Sequence, residues 1–243
     1  EITYGDWSSD VCSSDLSIRT HASHIVGGEF ELVYDRQDYY QLSLILYFDL
    51  INGNPGAKDI SVLASIYRKR DNSLMFNTLL PIDTEEPVSY TQPACSKGEI
   101  KTLRIKYTGR IKLLPDNFSD ANGYYVVWQR CCRNYSITNI YSENPENGGS
   151  RYAGQTFYLE FPPVRVDGKE FRNSSPRLFP PLNDYACPGR PYYVNFSGID
   201  DDGDSLFYSL VNPLNTKSVD AVPPPSPRPY PTVQWRPGFG LNK

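Results

Sequence analysis

The feature that most constrains this chain is residues 124–134, YYVVWQRCCRN, where aromatic and β-branched residues run together before two adjacent cysteines. Such residues are favoured in β-strands, and successive side chains of a strand point to opposite faces. One face carries Tyr124, Val126 and Trp128, and the other carries Tyr125 and Val127. Because both faces are apolar, the stretch predicts a strand that is central in its sheet and buried on both sides.

The rest of the chain alternates short apolar segments with turn-forming residues, and no stretch longer than one or two turns has a convincing helical period. Strands are predicted over residues 25–34, 40–50, 60–67, 74–80, 100–114 and 155–161. Within the second of these, Leu42, Leu44 and Leu46 share one face. The pattern predicts an all-β fold, an antiparallel β-sandwich of the immunoglobulin-like type.

Turn and proline signals divide the chain into four parts. Residues 1–21 are predicted to be a leader outside the fold, residues 22–165 the β-sandwich, residues 166–190 a junction, and residues 191–243 a second β unit. In that unit, residues 192–196 and 205–211 are predicted strands, and the proline-rich residues 223–231 are predicted to be polyproline II or loop. These strands are too few to close a sandwich, so a truncated immunoglobulin-, PKD- or cadherin-like unit is predicted.

Residues 5–16 resemble the translation of a common sequencing-adapter oligonucleotide, so residues 1–16 say nothing about the fold. The whole sequence holds 24 basic and 28 acidic residues, and four of the acids lie in residues 1–16, which hold no base. The remaining chain is balanced at 24 against 24. A neutral chain without a long basic run gives no electrostatic case for nucleic acid as a partner. No run of about 18 apolar residues occurs, so no membrane-spanning segment is predicted.

Residues 25–28, IVGG, resemble the mature N-terminus of trypsin-like serine proteases. That chemistry needs a histidine base beside a serine nucleophile, but the only two histidines, His21 and His24, lie upstream of this site. No carboxylate pair is singled out by its spacing for glycoside hydrolysis either. The sequence therefore predicts a protein that is not an enzyme.

Four cysteines remain once Cys12 of the adapter-like segment is set aside: Cys95, Cys131, Cys132 and Cys187. In an exported chain, an even count predicts two disulfides, with three possible pairings. A bridge between adjacent cysteines is rare, which favours one of Cys131 and Cys132 with Cys95 and the other with Cys187. Zinc is disfavoured, because the chain has no Cys-x-x-Cys pair and no histidine near these cysteines.

Asp200, Asp201, Asp202 and Asp204 place four carboxylates within five residues at a strand end. If Asp200, Asp202 and Asp204 converge, with Gly203 allowing a sharp turn, they supply the oxygen ligands that Ca²⁺ prefers. The same residues are favoured in a solvated Asp-Gly turn that holds no metal. The spacing is not that of an EF-hand, and the sequence leaves both the calcium site and the plain turn open.

Four motifs occur in the order found in a known family: residues 22–29 (ASHIVGGE), 131–134 (CCRN), 173–176 (NSSP) and 200–206 (DDDGDSL). Through them the chain, from Ala22 onward, resembles the N-terminal region of gliding-motility-associated surface proteins of Bacteroidota. The resemblance implies a large multidomain protein with immunoglobulin- or PKD-like domains, secreted by the type IX system and adhesin-like at the outer cell surface. It implies as partners cell-surface proteins or glycans and the remaining domains of the full-length chain. Many relatives carry a cysteine shortly after the second strand, where this chain has residues 47–51 (YFDLI).

Two functions of different classes follow from these features. The first is a non-catalytic extracellular surface module that acts in cell-surface structure or adhesion. The second is a carbohydrate-binding module of a secreted polysaccharide-acting protein, since 14% of the residues are aromatic and a β-sandwich can present a Tyr/Trp platform to sugars. Against the second, aromatic residues are favoured in strands for core and cross-strand packing alone.

Overall fold

The computed structural model describes residues 25–51, 53, 58–90, 95, 101–135, 137–143, 149–179, 187, 189–193 and 195–241, and the predicted leader, residues 1–21, lies outside them. The strands are β1 Ile25–Arg36, β2 Tyr39–Asp49, β3 Ser61–Arg68, β4 Leu74–Pro87, β5 Thr102–Lys112, β6 Tyr124–Arg130, β7 Gln155–Phe161, β8 Arg165–Val166, β9 Lys169–Glu170, β10 Arg177–Leu178 and β11 Gly198–Ile199. The seven long strands match the seven that the sequence predicts in residues 25–161.

These seven strands form one antiparallel sheet in the order β1-β2-β5-β4-β3-β6-β7. Strand β4 folds the sheet over on itself, because residues 74–81 pair with β3 and residues 82–87 pair with β5. At the side opposite β4, the edge strands β1 and β7 approach each other, and the Gln155 amide donates a hydrogen bond to the carbonyl of Ile25. The predicted antiparallel all-β fold is confirmed, with a sandwich- or barrel-like form.

One hydrophobic cluster fills the space between the two halves of the folded sheet. Each strand supplies alternate residues to it, because successive side chains of a strand point to opposite faces. From β2 these are Leu42, Leu44 and Leu46, as predicted. Full burial of one leucine or isoleucine side chain contributes about 1.5–3 kcal/mol to the free energy of unfolding. The cluster therefore holds the two halves together.

Strand β6 lies between β3 and β7, and all seven of its residues are buried. Tyr124, Val126 and Trp128 belong to the core cluster. Tyr125 and Val127 face the other side, where they form a separate buried cluster with Tyr67. The predicted strand with two apolar, buried faces is confirmed.

The cysteines pair as Cys131–Cys132 and Cys95–Cys187. This corrects the predicted pairing, in which Cys131 and Cys132 each took a distant partner. That prediction rested on the rarity of a bridge between adjacent cysteines. Strand β6 ends at Arg130, before them, so the two side chains do not have to point to opposite faces as they would in a strand. The Cα atoms of Cys95 and Cys187 lie 5.2 Å apart, a separation that suits a disulfide.

The second unit differs from the strand prediction. Residues 205–211 form no strand, and neither do the described residues of 192–196; instead, β11 pairs with β10. The later part of the unit returns to the sheet: the backbone N–H of Cys131 donates to the carbonyl of Ala221 (3.2 Å), and that of Tyr141 donates to Gln234 (2.9 Å). Residues 223–231 run without a strand, as predicted from their prolines.

Candidate functional site

Hydrogen bonds between one carboxylate and the backbone that follows it close the acidic turn that the sequence singles out. The Asp200 carboxylate accepts hydrogen bonds from the N–H groups of Asp202 (2.9 Å) and Asp204 (3.2 Å). Gly203 takes a φ of 85°, which favours glycine because a Cβ is strained there. This is the hydrogen-bonding pattern of an Asp turn, in which a side chain caps the backbone that follows it.

The other carboxylates of the turn have partners in different directions. Asp202 accepts a hydrogen bond from the backbone N–H of Ser174, and Asp201 pairs with Arg177 at 2.7 Å. Within the described residues, no three His, Cys, Asp or Glu side chains are grouped so that they could hold a metal ion. The convergence of Asp200, Asp202 and Asp204 that a calcium site requires is therefore not seen, and the turn serves to dock residues 200–204 on residues 174–177.

Tyrosines cluster on the outer face of β3, β6 and β7, beneath residues 222–230, which we call the strap. The rings of Tyr125 and Tyr158 lie 5.1 Å apart, and Tyr230 packs edge-on against Tyr158 at 6.0 Å. Tyr67 and Tyr125 are buried. Tyr158 and Tyr230 are partly buried against them. A sugar platform requires open rings, whereas these tyrosines pack on one another across the strands.

Arg228 fastens the strap, residues 222–230, to the sheet. Its Nη2 donates to the carbonyl of Lys69 (2.7 Å), and its own carbonyl accepts from the Asn72 amide (3.3 Å). Glu160 lies alongside, 3.4 Å from Arg228 Nη1. Burial alone would raise the pKa of Glu160, but hydrogen bonds from Lys69 and Tyr158 and the charges of Lys69 and Arg228 outweigh it and hold that pKa below its ordinary value.

A cleft of about 560 Å³ lies where β1 and β7 approach without pairing. Its walls include Gly28 and Phe30 of β1, residues 156–159 of β7, and Leu178. A Cβ at Gly28 would clash first with the backbone carbonyl of Ile45 in β2 and would also meet the Phe157 ring at 2.9 Å, so glycine allows β1 to lie close to both β2 and β7. The two consecutive glycines at residues 27–28 are the sequence signal that could have indicated a close approach here.

Arg133 lies at one end of the cleft and holds two chain segments together. Its guanidinium donates to the carbonyls of Gly154 (2.9 Å) and Leu214 (3.2 Å). Burial lowers the pKa of Arg133 to about 10, since the charged form loses hydration there. The hydrogen bond from the charged guanidinium to Leu214 positions the backbone of residues 211–214 at the cleft.

Large apolar side chains are exposed in the described part of residues 192–211, which ends at Val211 in the cleft wall. The exposed fractions are 87% for Tyr193, 69% for Phe196, 93% for Phe207, 83% for Leu210 and 72% for Val211. Apolar side chains with this much exposure, so close together in sequence, favour an interaction surface. The sequence predicted these residues as strands of a second unit, but their exposure follows only from the absence of strand partners in the described part of the chain.

Comparison of the chain with protein-family models, curated proteins and solved structures gives no match. Over the described ranges, no helix has both the length and the apolar character needed to cross a membrane.

Proposed function

We propose that this chain is a non-catalytic extracellular surface module that acts in cell-surface structure or adhesion by binding other polypeptides. The observation that carries the proposal is the run of exposed apolar side chains between Tyr193 and Val211, beside a module whose own core is well buried. Side chains of this kind are covered in a working assembly, because apolar surface left in water costs free energy.

The disulfides support an extracellular location. Cys95 and Cys187 lie 92 residues apart in sequence and are bridged, and such bonds persist in oxidising compartments. The four motifs shared with gliding-motility-associated surface proteins support secretion by the type IX system and an adhesin-like role at the outer cell surface.

The proposal is tested by attachment of protein-coated beads to a layer of gliding Bacteroidota cells under flow. Replacing Tyr193 and Phe196 together by serine should lower bead retention by about tenfold or more, because burial of two aromatic side chains exceeds the 1.4 kcal/mol that a factor of ten requires. The control replaces Leu63 and Leu79, exposed residues of β3 and β4, by serine. Equal retention of wild type and the Tyr193/Phe196 variant would remove the basis of the proposal.

A glycan array separates this function from the carbohydrate-binding alternative. We expect no binding that depends on the tyrosines of β3, β6 and β7, because the strap of residues 222–230 covers them. Both described tryptophans also make contacts within the fold. Trp128 packs in the core against Phe157, and the Trp235 indole donates to Asn212 at 2.9 Å. Strong binding to one glycan class by the wild type would favour the alternative.

A further inference from the structure

Strands β3 and β6 pair over only part of their length and then separate. Their pairing extends as far as Ser65 opposite Val127. An unbroken pairing would next place Leu63 opposite Gln129, but the two strands are no longer paired there. A gap therefore opens between β3 and β6 beyond Ser65.

The backbone of Leu63 faces this gap. Backbone direction alternates along a strand, and the two ends of β3 agree on which residues face which neighbour. The carbonyl of Ile60 accepts from β4, whereas the N–H of Lys69 donates to the carbonyl of Gly123, which precedes β6. The odd-numbered residues of β3 therefore direct their N–H and C=O groups towards β6, and Leu63 is one of them.

The backbone of Gln129 faces the gap from the other side. Gln129 lies an even number of residues after Gly123, whose carbonyl meets β3, so its backbone groups point the same way. Two residues further on, the N–H of Cys131 donates instead to the carbonyl of Ala221, immediately before the strap (3.2 Å). The chain that leads into the strap thus replaces β3 as the neighbour of this end of β6.

A cavity of about 180 Å³ occupies the gap. Its walls are mostly apolar and include Leu63, Leu79, Val127, Val222 and Pro225. The Ser226 hydroxyl donates to Gln129 Oε1 (2.8 Å), which ties the strap to β6 beside the cavity. A cavity of about 150 Å³ is enough to hold benzene, so this one has room for a six-membered ring with a substituent.

Two polar side chains line the cavity, and they differ in what they offer a ligand. Ser65 is 1% exposed, and its Oγ has no partner in hydrogen-bond geometry among the described residues. The Tyr67 hydroxyl is close enough to interact with it but lies outside that geometry. Asp59 is paired with Arg130 at 2.9 Å, so its charge is balanced within the fold. The cavity therefore offers a ligand a buried hydroxyl rather than a charge.

This combination favours an amphipathic ligand over water or a sugar. Ordered water is stable in a cavity where each molecule finds two to four polar partners, and the walls here are mostly apolar. A sugar would bury more hydroxyl groups than Ser65 and the backbone of two strands can satisfy, at a cost for each one left unpaired. An apolar ring with one polar group matches both the walls and the hydroxyl.

We infer that this cavity binds a small molecule of one six-membered ring and one hydroxyl group, a phenol in chemical class. The ring packs among Leu63, Leu79 and Val222, and the hydroxyl bonds to Ser65 Oγ. Such binding requires no partner polypeptide, so it goes beyond the proposed function and is measured without a cell surface.

Nuclear magnetic resonance titration of the isotope-labelled whole chain with phenol tests the site. The amide signals of Leu63 and Gln129 should shift and saturate, with a dissociation constant of about 1 mM or below for a ligand of this size. Benzene should bind more weakly, because it leaves Ser65 without a partner, and glucose should not bind. If phenol gives no saturable shift, or if glucose binds as tightly as phenol, the inference is overturned.

Ser65→Ala tests the polar contact with little change in shape. It should raise the dissociation constant of phenol about three- to tenfold and leave that of benzene within about twofold, because only phenol loses a hydrogen bond. An equal change for the two ligands would overturn the bond to Ser65 and, with it, the inferred ligand class.

Val222→Trp tests the location, because the larger side chain fills the cavity from the strap. It should abolish saturable phenol binding. Val219→Trp is the matched control, since Val219 is also an exposed valine but does not line the cavity. The melting temperature of each variant shows that it is folded. Phenol binding that survives Val222→Trp would place the ligand elsewhere and overturn the inference.

Discussion

Tyr125 stacks on Tyr67 across the β3–β6 pair, with ring centroids 5.3 Å apart and an interplanar angle of 17°. The Tyr125 hydroxyl donates to Asn72 Oδ1 (3.0 Å) and accepts from the backbone N–H of Arg228 (3.2 Å). One buried side chain thus joins the β3–β4 turn to the strap of residues 222–230.

Tyr125→Phe should therefore loosen the strap without unfolding the sheet. We expect the free energy of unfolding to fall by about 1–2 kcal/mol, because the substitution leaves the hydrogen-bonding groups of Asn72 and Arg228 without their buried partner. Denaturant unfolding measures the loss, and amide hydrogen exchange should become faster in residues 222–230. Unchanged exchange there would show that the hydroxyl does not hold the strap.

Two neighbouring leucines of β4 test the position of the core. Leu80 is fully buried and Leu79 is 59% exposed. Leu80→Ala should lower the free energy of unfolding by about 2–5 kcal/mol through lost burial and the cavity left behind, whereas Leu79→Ala should change it by less than about 0.5 kcal/mol. Similar losses for both would contradict the alternation along β4.

Glu160 should give the stability a pH dependence. Because its folded pKa is lowered, its contribution is present above the unfolded value of about 4.3 and is lost as pH falls through the folded pKa. The contribution is on the order of 0.5 kcal/mol, since the carboxylate is partly exposed. Glu160→Gln should flatten the stability profile between the two pKa values, and a carboxyl NMR titration of the wild type should report a value below the ordinary one. An unshifted titration would contradict the contacts with Lys69 and Arg228.

Peptide mapping under non-reducing conditions should recover Cys131 joined to Cys132 and Cys95 joined to Cys187. Cys95→Ser together with Cys187→Ser should lower the free energy of unfolding by about 2–4 kcal/mol, because the bridge restricts the unfolded chain. Any peptide that joins Cys95 or Cys187 to the adjacent pair would favour the pairing predicted from sequence.

The acidic turn should act as a docking element. Asp202→Ala should lower the melting temperature, because it leaves the N–H of Ser174, a buried residue, without its acceptor. Asp204→Ala is the matched control, since Asp204 contributes its backbone N–H to the turn. Calorimetric titration with millimolar calcium should give no heat. A clear binding isotherm would instead favour the calcium site over the plain turn.

The sequence by itself determined the strands of the main sheet and their buried faces. The alternation in residues 124–128 predicted both faces of β6, and Leu42, Leu44 and Leu46 predicted one face of β2. Such patterns are sufficient because the direction of a side chain in a strand depends only on its own backbone. The prolines of residues 223–231 likewise excluded a strand through local chemistry alone.

Only the tertiary structure decided the disulfide pairing, the cleft and the exposure of residues 205–211. Strand β6 ends at Arg130, so its alternation gives no direction for the two cysteines that follow. The segment at residues 205–211 has a strand pattern but no strand, because a strand needs a neighbour and none of the described residues supplies one. The cleft exists because β4 folds the sheet until β1 and β7 meet without pairing, and such a meeting of edges 130 residues apart depends on how the whole sheet closes.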